Sequence, residues 1–383
     1  MRMRILMVVR QFYPWVGGTE RQAQKLSAKL IELGVDVRVV TGWWFRGTPQ
    51  REMIGPVPVF RNFTFWEMFG VSGLRKFGGY TYLLTLLWHL WRRRHDYDII
   101  HVHLLNYHAF PAVLAGRWWG KKTIIKTANS GQGSDIRRMQ SDMLPGQRWM
   151  LPVTLTAHRL VAINVESVAE LREAGTSPER IITIPNGVEV SGPSKRDYAL
   201  NGNVTAMFVG RLHSNKGLDV LLTAFQQVIR RRPDQGWRLW LVGDGPLRSQ
   251  LEAQAADLGL AERMKFWGWV ENVSSLLAQA DVFVLPSRTE GISNALLEAM
   301  AVGLPCVATS IGGNVDLLQT HQAGLLVPPD DVNALAEALL SLGGTEALRA
   351  QLGRRARQMV EAHFSIDSVA QQYLELYHSL MHQ

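Results

Sequence analysis

Short apolar runs rich in β-branched residues alternate along the whole chain with segments whose apolar positions recur at helical spacing. The first half holds strand candidates at Arg4–Val9, Asp36–Thr41, Asp98–His103, Thr123–Thr127, Arg159–Ile163 and Ile181–Ile184. Between the first two, Glu20–Leu33 places Ala23, Leu26, Leu30 and Leu33 on one helical stripe, and Gly34 ends it. The run Val190–Asn203 is rich in Ser, Gly, Pro and Asn and has no period, so it reads as a break. A second series follows: Val204–Val209, Arg238–Val242, Met264–Trp267, Asp281–Leu285 and Cys306–Thr309, each leading into a helix or a glycine-bearing loop. Strand and helix in strict alternation give parallel sheets covered by helices. The expected fold is α/β, two facing Rossmann-like, doubly wound domains with a cleft between them. The first domain is expected over 1–190, a linker over 191–203 and the second domain over 204–364, with a last helix at about 365–383 packing back on the first. Open sheets of this kind bind ligands outside the carboxyl ends of their strands, so chemistry is expected just after strands.

Composition narrows this picture. A length of 383 residues suits two domains, and 46% hydrophobic with 19% charged residues supplies a core for each. Cys306 is the one cysteine, which excludes an internal disulfide, and no metal-ligand spacing is found, so no metal is expected. The apolar run Ile5–Val9 is short and is followed by Arg10, which fits a buried first strand better than a secretion signal. Tyr80–Trp91 falls short of the roughly 20 apolar residues that span a bilayer, so no crossing is expected. The net charge of +8 is uneven: residues 1–190 carry 25 Lys and Arg against 14 Asp and Glu, whereas the remainder carries 16 against 19. A basic first half favours an anionic lipid surface or a phosphorylated acceptor. Nucleic acid is not expected, because no nucleic-acid-binding module is legible. Leu74–Arg94 is leucine-rich and aromatic and ends in Arg92-Arg93-Arg94, the composition of helices that lie in a membrane interface, and it is the expected contact with an anionic membrane.

The densest chemistry lies in Pro286–Gly313. A polar loop follows the Asp281–Leu285 strand, Ser293 or Asn294 caps a helix that runs through Ala301, and Gly303 stops it. Glu290 sits in the loop and Glu298 on the helix's second turn, so both carboxylates can face one crevice. There the N–H groups of Gly291, Ile292, Ser293 and Asn294 suit an anionic or hydroxyl-rich ligand. The Val204–Val209 strand runs into Gly210-Arg211-Leu212 and then Lys216-Gly217; Arg211 could grip a diphosphate bidentately and Lys216 as a point charge. Gly243-Asp244-Gly245-Pro246 reads as a tight turn. Taken singly, each of these residues is equally well a solvated surface group.

Together, in this order and spacing, they resemble the family-four retaining glycosyltransferases of GT-B fold. Pro185-Asn186-Gly187-Val188, Gly17-Gly18, Gly312-Gly313 and Gly324-Leu325-Leu326-Val327 extend the resemblance over nearly the whole chain. It implies that Arg211 and Lys216 bind the donor diphosphate and stabilise the departing nucleotide, that Glu298 holds the ribose, and that Glu290 with the backbone after it contacts the donor sugar. It implies further that Phe266–Trp269 lies against the base and that Gly17-Gly18 lets a loop approach the donor or acceptor. Many members carry a histidine near the donor sugar where this chain has Asn129; an amide there can hydrogen-bond a sugar hydroxyl but cannot act as a base. His103 is a further candidate for the acceptor side. The activity implied is sugar transfer from a nucleotide-diphosphate sugar, with no further cofactor, to a saccharide or lipid-linked acceptor in bacterial glycan assembly at the cytoplasmic face of the membrane. The rival readings are a nucleotide-sugar isomerase or hydrolase on the same fold and a non-catalytic nucleotide-sugar-binding subunit.

Overall fold

The computed structural model describes residues 3–14, 17–45, 47–65, 75–141, 144–190, 192, 194–195 and 197–382. The chain divides into two compact units, Met1–Gly187 with Ile366–Gln383, and Val188–Ser365.

The first unit contains β1 (Arg4–Val9), β2 (Asp36–Trp43), β3 (Arg51–Ile54), β4 (Val57–Phe63), β5 (Ile99–His103), β6 (Lys122–Lys126), β7 (Arg159–Ala162) and β8 (Ile181–Thr183). They form one sheet in the order β3-β4-β2-β1-β5-β6-β7-β8, parallel except for the edge pair β3 and β4. Both faces are covered, which is why β1 reads as a continuous apolar run after Arg4 and why β5 is buried at every position, its two histidines included. Strand alternation sends Leu6, Val8, Ile100 and Val102 into one core, under the helices Arg75–Arg92 and Ala109–Trp119. Ile5, Met7, Val9 and Ile99 enter the other, with Leu26 and Leu30 of the helix Gly18–Glu32. The helix Ile366–Met381 closes that second face, burying Val369, Tyr373, Leu376, Tyr377 and Leu380 at helical spacing. Asp98, expected to open a strand, lies just before β5, and its carboxylate accepts a forked pair of hydrogen bonds from Arg4 at 3.0 and 2.6 Å.

The second unit contains β9 (Asn203–Val209), β10 (Gly236–Val242), β11 (Met264–Gly268), β12 (Val282–Leu285), β13 (Cys306–Thr309) and β14 (Leu325–Val327). Their order is β11-β10-β9-β12-β13-β14, all parallel. The chain therefore builds outward from β9 to one side, then crosses to build outward from β12 on the other. The loops that leave the adjacent strands β9 and β12 diverge, and this switch point is where such sheets open a crevice.

The segment expected to be a linker is corrected by its packing. Lys195 donates its backbone N–H to the Val302 carbonyl at 2.7 Å and its ammonium to Ala280 and Asp281 at 2.7 and 2.9 Å. The Tyr198 hydroxyl donates to Gly303, and the buried Arg349 guanidinium donates twice to the Tyr198 carbonyl. This stretch is a strap on the second unit, and the chain passes between units at Gly187 and Ser365 instead. The helix end at Val302 and Gly303 is satisfied by the Lys195 backbone N–H and the Tyr198 hydroxyl, so this stretch packs on a helix terminus rather than acting as a solvated tether.

Candidate functional site

At the end of β9 the backbone is stitched to the neighbouring loop: Gly210 N–H donates to Val242, and Leu212 N–H to Asp244. Leu212 is buried and anchors this turn, while Arg211 next to it is exposed and has no side-chain partner among the described residues. The 3-10 turn Ser214–Lys216 follows, closed by Gly217 at φ +61°. A Cβ on Gly217 would lie 2.1 Å from the Pro286 carbonyl oxygen, so only glycine lets this turn seat against the loop after β12. That close approach brings two predicted residues together. Lys216 Nζ pairs with Glu290 Oε1, and the same oxygen accepts from Ser287 Oγ at 2.8 Å.

The loop Pro286–Ile292 is held from below. Thr309 Oγ1 donates to the Ser287 carbonyl at 2.5 Å, and Gly313 N–H donates to Gly291 at 2.8 Å. Ser293, not Asn294, caps the helix Asn294–Val302, with its hydroxyl accepting from Leu296 N–H. Asn294 is therefore the first helical residue, and Glu298 stands half-buried on the second turn. Gly303 ends the helix at φ +88°. Phe266 lies half-buried on β11. Beside it Lys265 Nζ sits 3.5 Å above the Trp267 ring, and Trp269 is exposed.

In the first unit, Gly17 caps and Gly18 opens the helix after β1. Asn129 follows β6, and its amide is engaged within the protein: Nδ2 donates to Asp135 Oδ1 at 2.8 Å. Asp135 Oδ2 accepts the N–H groups of Ala128 and Asn129 at 2.6 and 3.4 Å. Burial pushes the Asp135 carboxyl up to about 6 despite these hydrogen bonds. A carboxylate must face the donor end of the Asn129 amide, so Oδ1 is the end left to accept a ligand hydroxyl. Ser130 donates to Glu166 at 2.7 Å and Gly131 N–H to Glu170 at 2.9 Å, fixing the rest of this loop.

His103 is corrected. It is 1% exposed, stacked on His101 with centroids 4.4 Å apart, and neither of its ring nitrogens has a partner among the described residues. Burial holds it well below the usual histidine range, with His101, Lys126 and His108 adding to the effect. His101 Nδ1 is 2.7 Å from the Tyr377 hydroxyl. The strand histidines thus sit in the core beneath the last helix, out of reach of an acceptor. Lys126 shares this core, and burial lowers it to about 7. Asp135, Arg288 and Ser287 were missed from the sequence, because their importance lies in contacts that no spacing motif encodes.

Two α/β units with largely parallel sheets, the second bearing a Lys–Glu pair at its switch point, fit the two-domain GT-B fold. Residues 203–344 match the family model for glycosyl transferases group 1, and residues 16–191 that for glycosyltransferase family 4. The chain belongs to the family-4 glycosyltransferases of GT-B fold. It is 28% identical over 380 residues to the N-acetyl-alpha-D-glucosaminyl L-malate synthase of Bacillus anthracis, covering 96% of each chain. It is 25% identical to the UDP-Gal:alpha-D-GlcNAc-diphosphoundecaprenol alpha-1,3-galactosyltransferase of Escherichia coli, over 74% of this chain and 76% of that one. The Anabaena protein HepE, solved in complex with UDP, superposes with a TM-score of 0.75 at 21% identity, over 98% of this chain and 100% of that one, and shares the fold.

Proposed function

We propose that this glycosyltransferase takes its sugar from a nucleotide-diphosphate donor, transfers it with retention of configuration, and delivers it to the hydroxyl of a saccharide or lipid-linked acceptor in bacterial glycan assembly. The observation that carries this reading is the Lys216–Glu290 pair at the diverging loops of β9 and β12, with the unpaired Arg211 beside it. A donor diphosphate entering there would draw Lys216 and Arg211 and release Glu290 to accept from a sugar hydroxyl. As the glycosidic bond breaks, charge grows on the leaving phosphate, where the two cations the donor has drawn in oppose it. Glu298 would take the ribose hydroxyls. On this reading the acceptor's proton passes to the departing phosphate on the face it leaves from, so no side-chain base is needed. Asn129, turned by Asp135, would then accept a hydrogen bond from the donor sugar.

An anionic membrane surface is proposed as the setting, at the cytoplasmic face. No helix among the described residues is long and apolar enough to cross a membrane. Leu74, the start of the expected contact, lies outside the described residues. The helix Arg75–Arg92 exposes Phe77, Leu84, Trp88 and Trp91 along one face, opposite the buried Tyr82, Leu86 and Leu90. Trp118 and Trp149 are exposed on the two helices packed beside it in turn. Arg92 lies over Trp88, Arg94 over Trp91 and Arg148 over Trp149, the pairing of cation and amphipathic ring that suits a lipid headgroup region.

The test of the transfer reaction incubates the protein with UDP-, GDP- and ADP-sugars and saccharide or lipid-linked acceptors, and reads the product anomer by NMR. Retention is expected, with Lys216→Ala and Arg211→Ala each slowing turnover roughly 10²–10³-fold. An inverted product would overturn the mechanism, and free sugar or an epimer without transfer would favour the hydrolase or isomerase reading.

A further inference from the structure

Arg288 lies two residues before Glu290 in the Pro286–Ile292 loop, and the sequence alone assigns it no role. Its guanidinium donates to both carboxylate oxygens of Asp219 at 3.0 and 2.8 Å, to the Ser214 carbonyl at 2.7 Å and to Asp330 Oδ1 at 2.7 Å. Its backbone N–H donates to the Asn215 carbonyl at 2.8 Å. Ser214 and Asn215 are in the turn that carries Lys216, Asp219 is in the first turn of the helix after it, and Asp330 follows β14 in a left-handed conformation at φ +60°. One planar group therefore joins the loops at the carboxyl ends of β9, β12 and β14. An exposed ion pair fixes little by itself, because two long side chains exchange freely with water. This arrangement differs in that the guanidinium bond to the Ser214 carbonyl ends on the main chain of the Lys216 turn and so constrains backbone, while the Arg288 N–H bond to Asn215 holds the same turn independently of the side chain. The guanidinium fork reaches Asp219, Asp330 and the Ser214 carbonyl at once, whereas an ammonium cannot.

We propose that Arg288 is a positioning residue, which locks the Ser214–Gly217 turn against the Pro286–Glu290 loop and so presets the separation of Lys216 from Glu290 before a donor arrives. This rests on the reading that Lys216 meets the donor diphosphate. Preset geometry raises affinity by removing the cost of ordering the turn at the moment of binding. Arg288 would act through Lys216, without itself touching the donor.

The experiment has a ligand-free arm and a binding arm, both on the full chain. In the first, amide hydrogen exchange over residues 213–219 is expected to quicken in Arg288→Ala while exchange in β9 and β12 stays as in the wild type. In the second, calorimetry with UDP, GDP and ADP identifies the diphosphate that binds, and Arg288→Ala is expected to weaken it roughly ten-fold, the order that the cost of ordering a loosened turn on binding implies. Arg288→Lys should recover part of that loss. On a Lys216→Ala background, Arg288→Ala should cost little more, because the two act on one interaction. Losses that add in full, unchanged exchange over 213–219, or wild-type affinity in Arg288→Ala would overturn the proposal. If Arg288→Ala fails to fold, Asp219→Asn keeps the shape of the fork, weakens it, and is judged by the same measurements. Wild-type affinity in Lys216→Ala would bring down the functional reading and the proposal with it, and the exchange arm distinguishes that result from the absence of a clamp.

Discussion

Asp135 shows how much a single residue can carry without belonging to a motif. Its carboxylate binds three donors from the Ala128–Asn129 stretch, yet burial still outweighs them and raises it to about 6. The folded protein therefore holds a proton there that the unfolded chain, near the ordinary value of 3.8, has already released. Stability from this group is complete below about pH 4, falls as pH rises to about 6 and is level above, amounting to at most about 3 kcal/mol. Asp135→Asn removes that titration and lets the Asn129 amide turn to pair with it. The melting temperature of Asp135→Asn relative to wild type should rise between pH 4 and pH 6 and then stay constant. A difference that does not change with pH would show that Asp135 does not titrate there. Lys216 and Glu290 were legible because glycines and strand ends flank them in a fixed order. Asp135 and Arg288 were not, since the latter's meaning lies in an ion pair with Asp330, 42 residues away.

Elements were most legible where both faces of a strand are buried, as in β1 and β12, because burial favours a continuous apolar run. The hairpin of β3 and β4 was missed for the opposite reason. β3 is the sheet edge and is exposed or half-exposed throughout, and Pro58, the second residue of β4, argues against a strand when read from sequence. β14 has three residues and was read only as part of a family pattern. The helix Arg75–Arg92 was legible as an aromatic and basic run, but its two faces were not separable until Tyr82 and Leu86 proved buried and Trp88 and Trp91 exposed. This division makes the membrane proposal specific. Trp88→Ala with Trp91→Ala should reduce sedimentation with anionic vesicles several-fold without lowering the melting temperature. Binding of the wild type should weaken as salt rises, because attraction between exposed charges is screened. Equal binding to neutral and anionic vesicles, or no loss in the double variant, would remove this face from the reading.

At the scale of the molecule, the chain completes its first unit only after finishing the second. It leaves at Gly187, builds Val188–Ser365, and returns with the helix Ile366–Met381 to close a face of the first sheet. Seven residues of that helix are buried, among them Tyr373, Leu376, Tyr377 and Leu380, and the His101 ring lies against Tyr373 and Tyr377. Burying one large apolar side chain contributes about 1.5–3 kcal/mol, so the helix as a whole accounts for on the order of 10 kcal/mol. Domains are stable by roughly 5–15 kcal/mol in total. Ending the chain after Ser365 should therefore abolish folding of the first unit, while the second retains its own strands and core. Limited proteolysis is expected to cleave throughout 1–187 and to spare 188–365. The milder change Tyr377→Phe keeps the packing and removes only the hydrogen bond to His101, and should cost about 1 kcal/mol. A truncated chain whose first unit resists protease as the wild type does would mean that the sheet holds its fold with one face uncovered, and that the returning helix serves some other end.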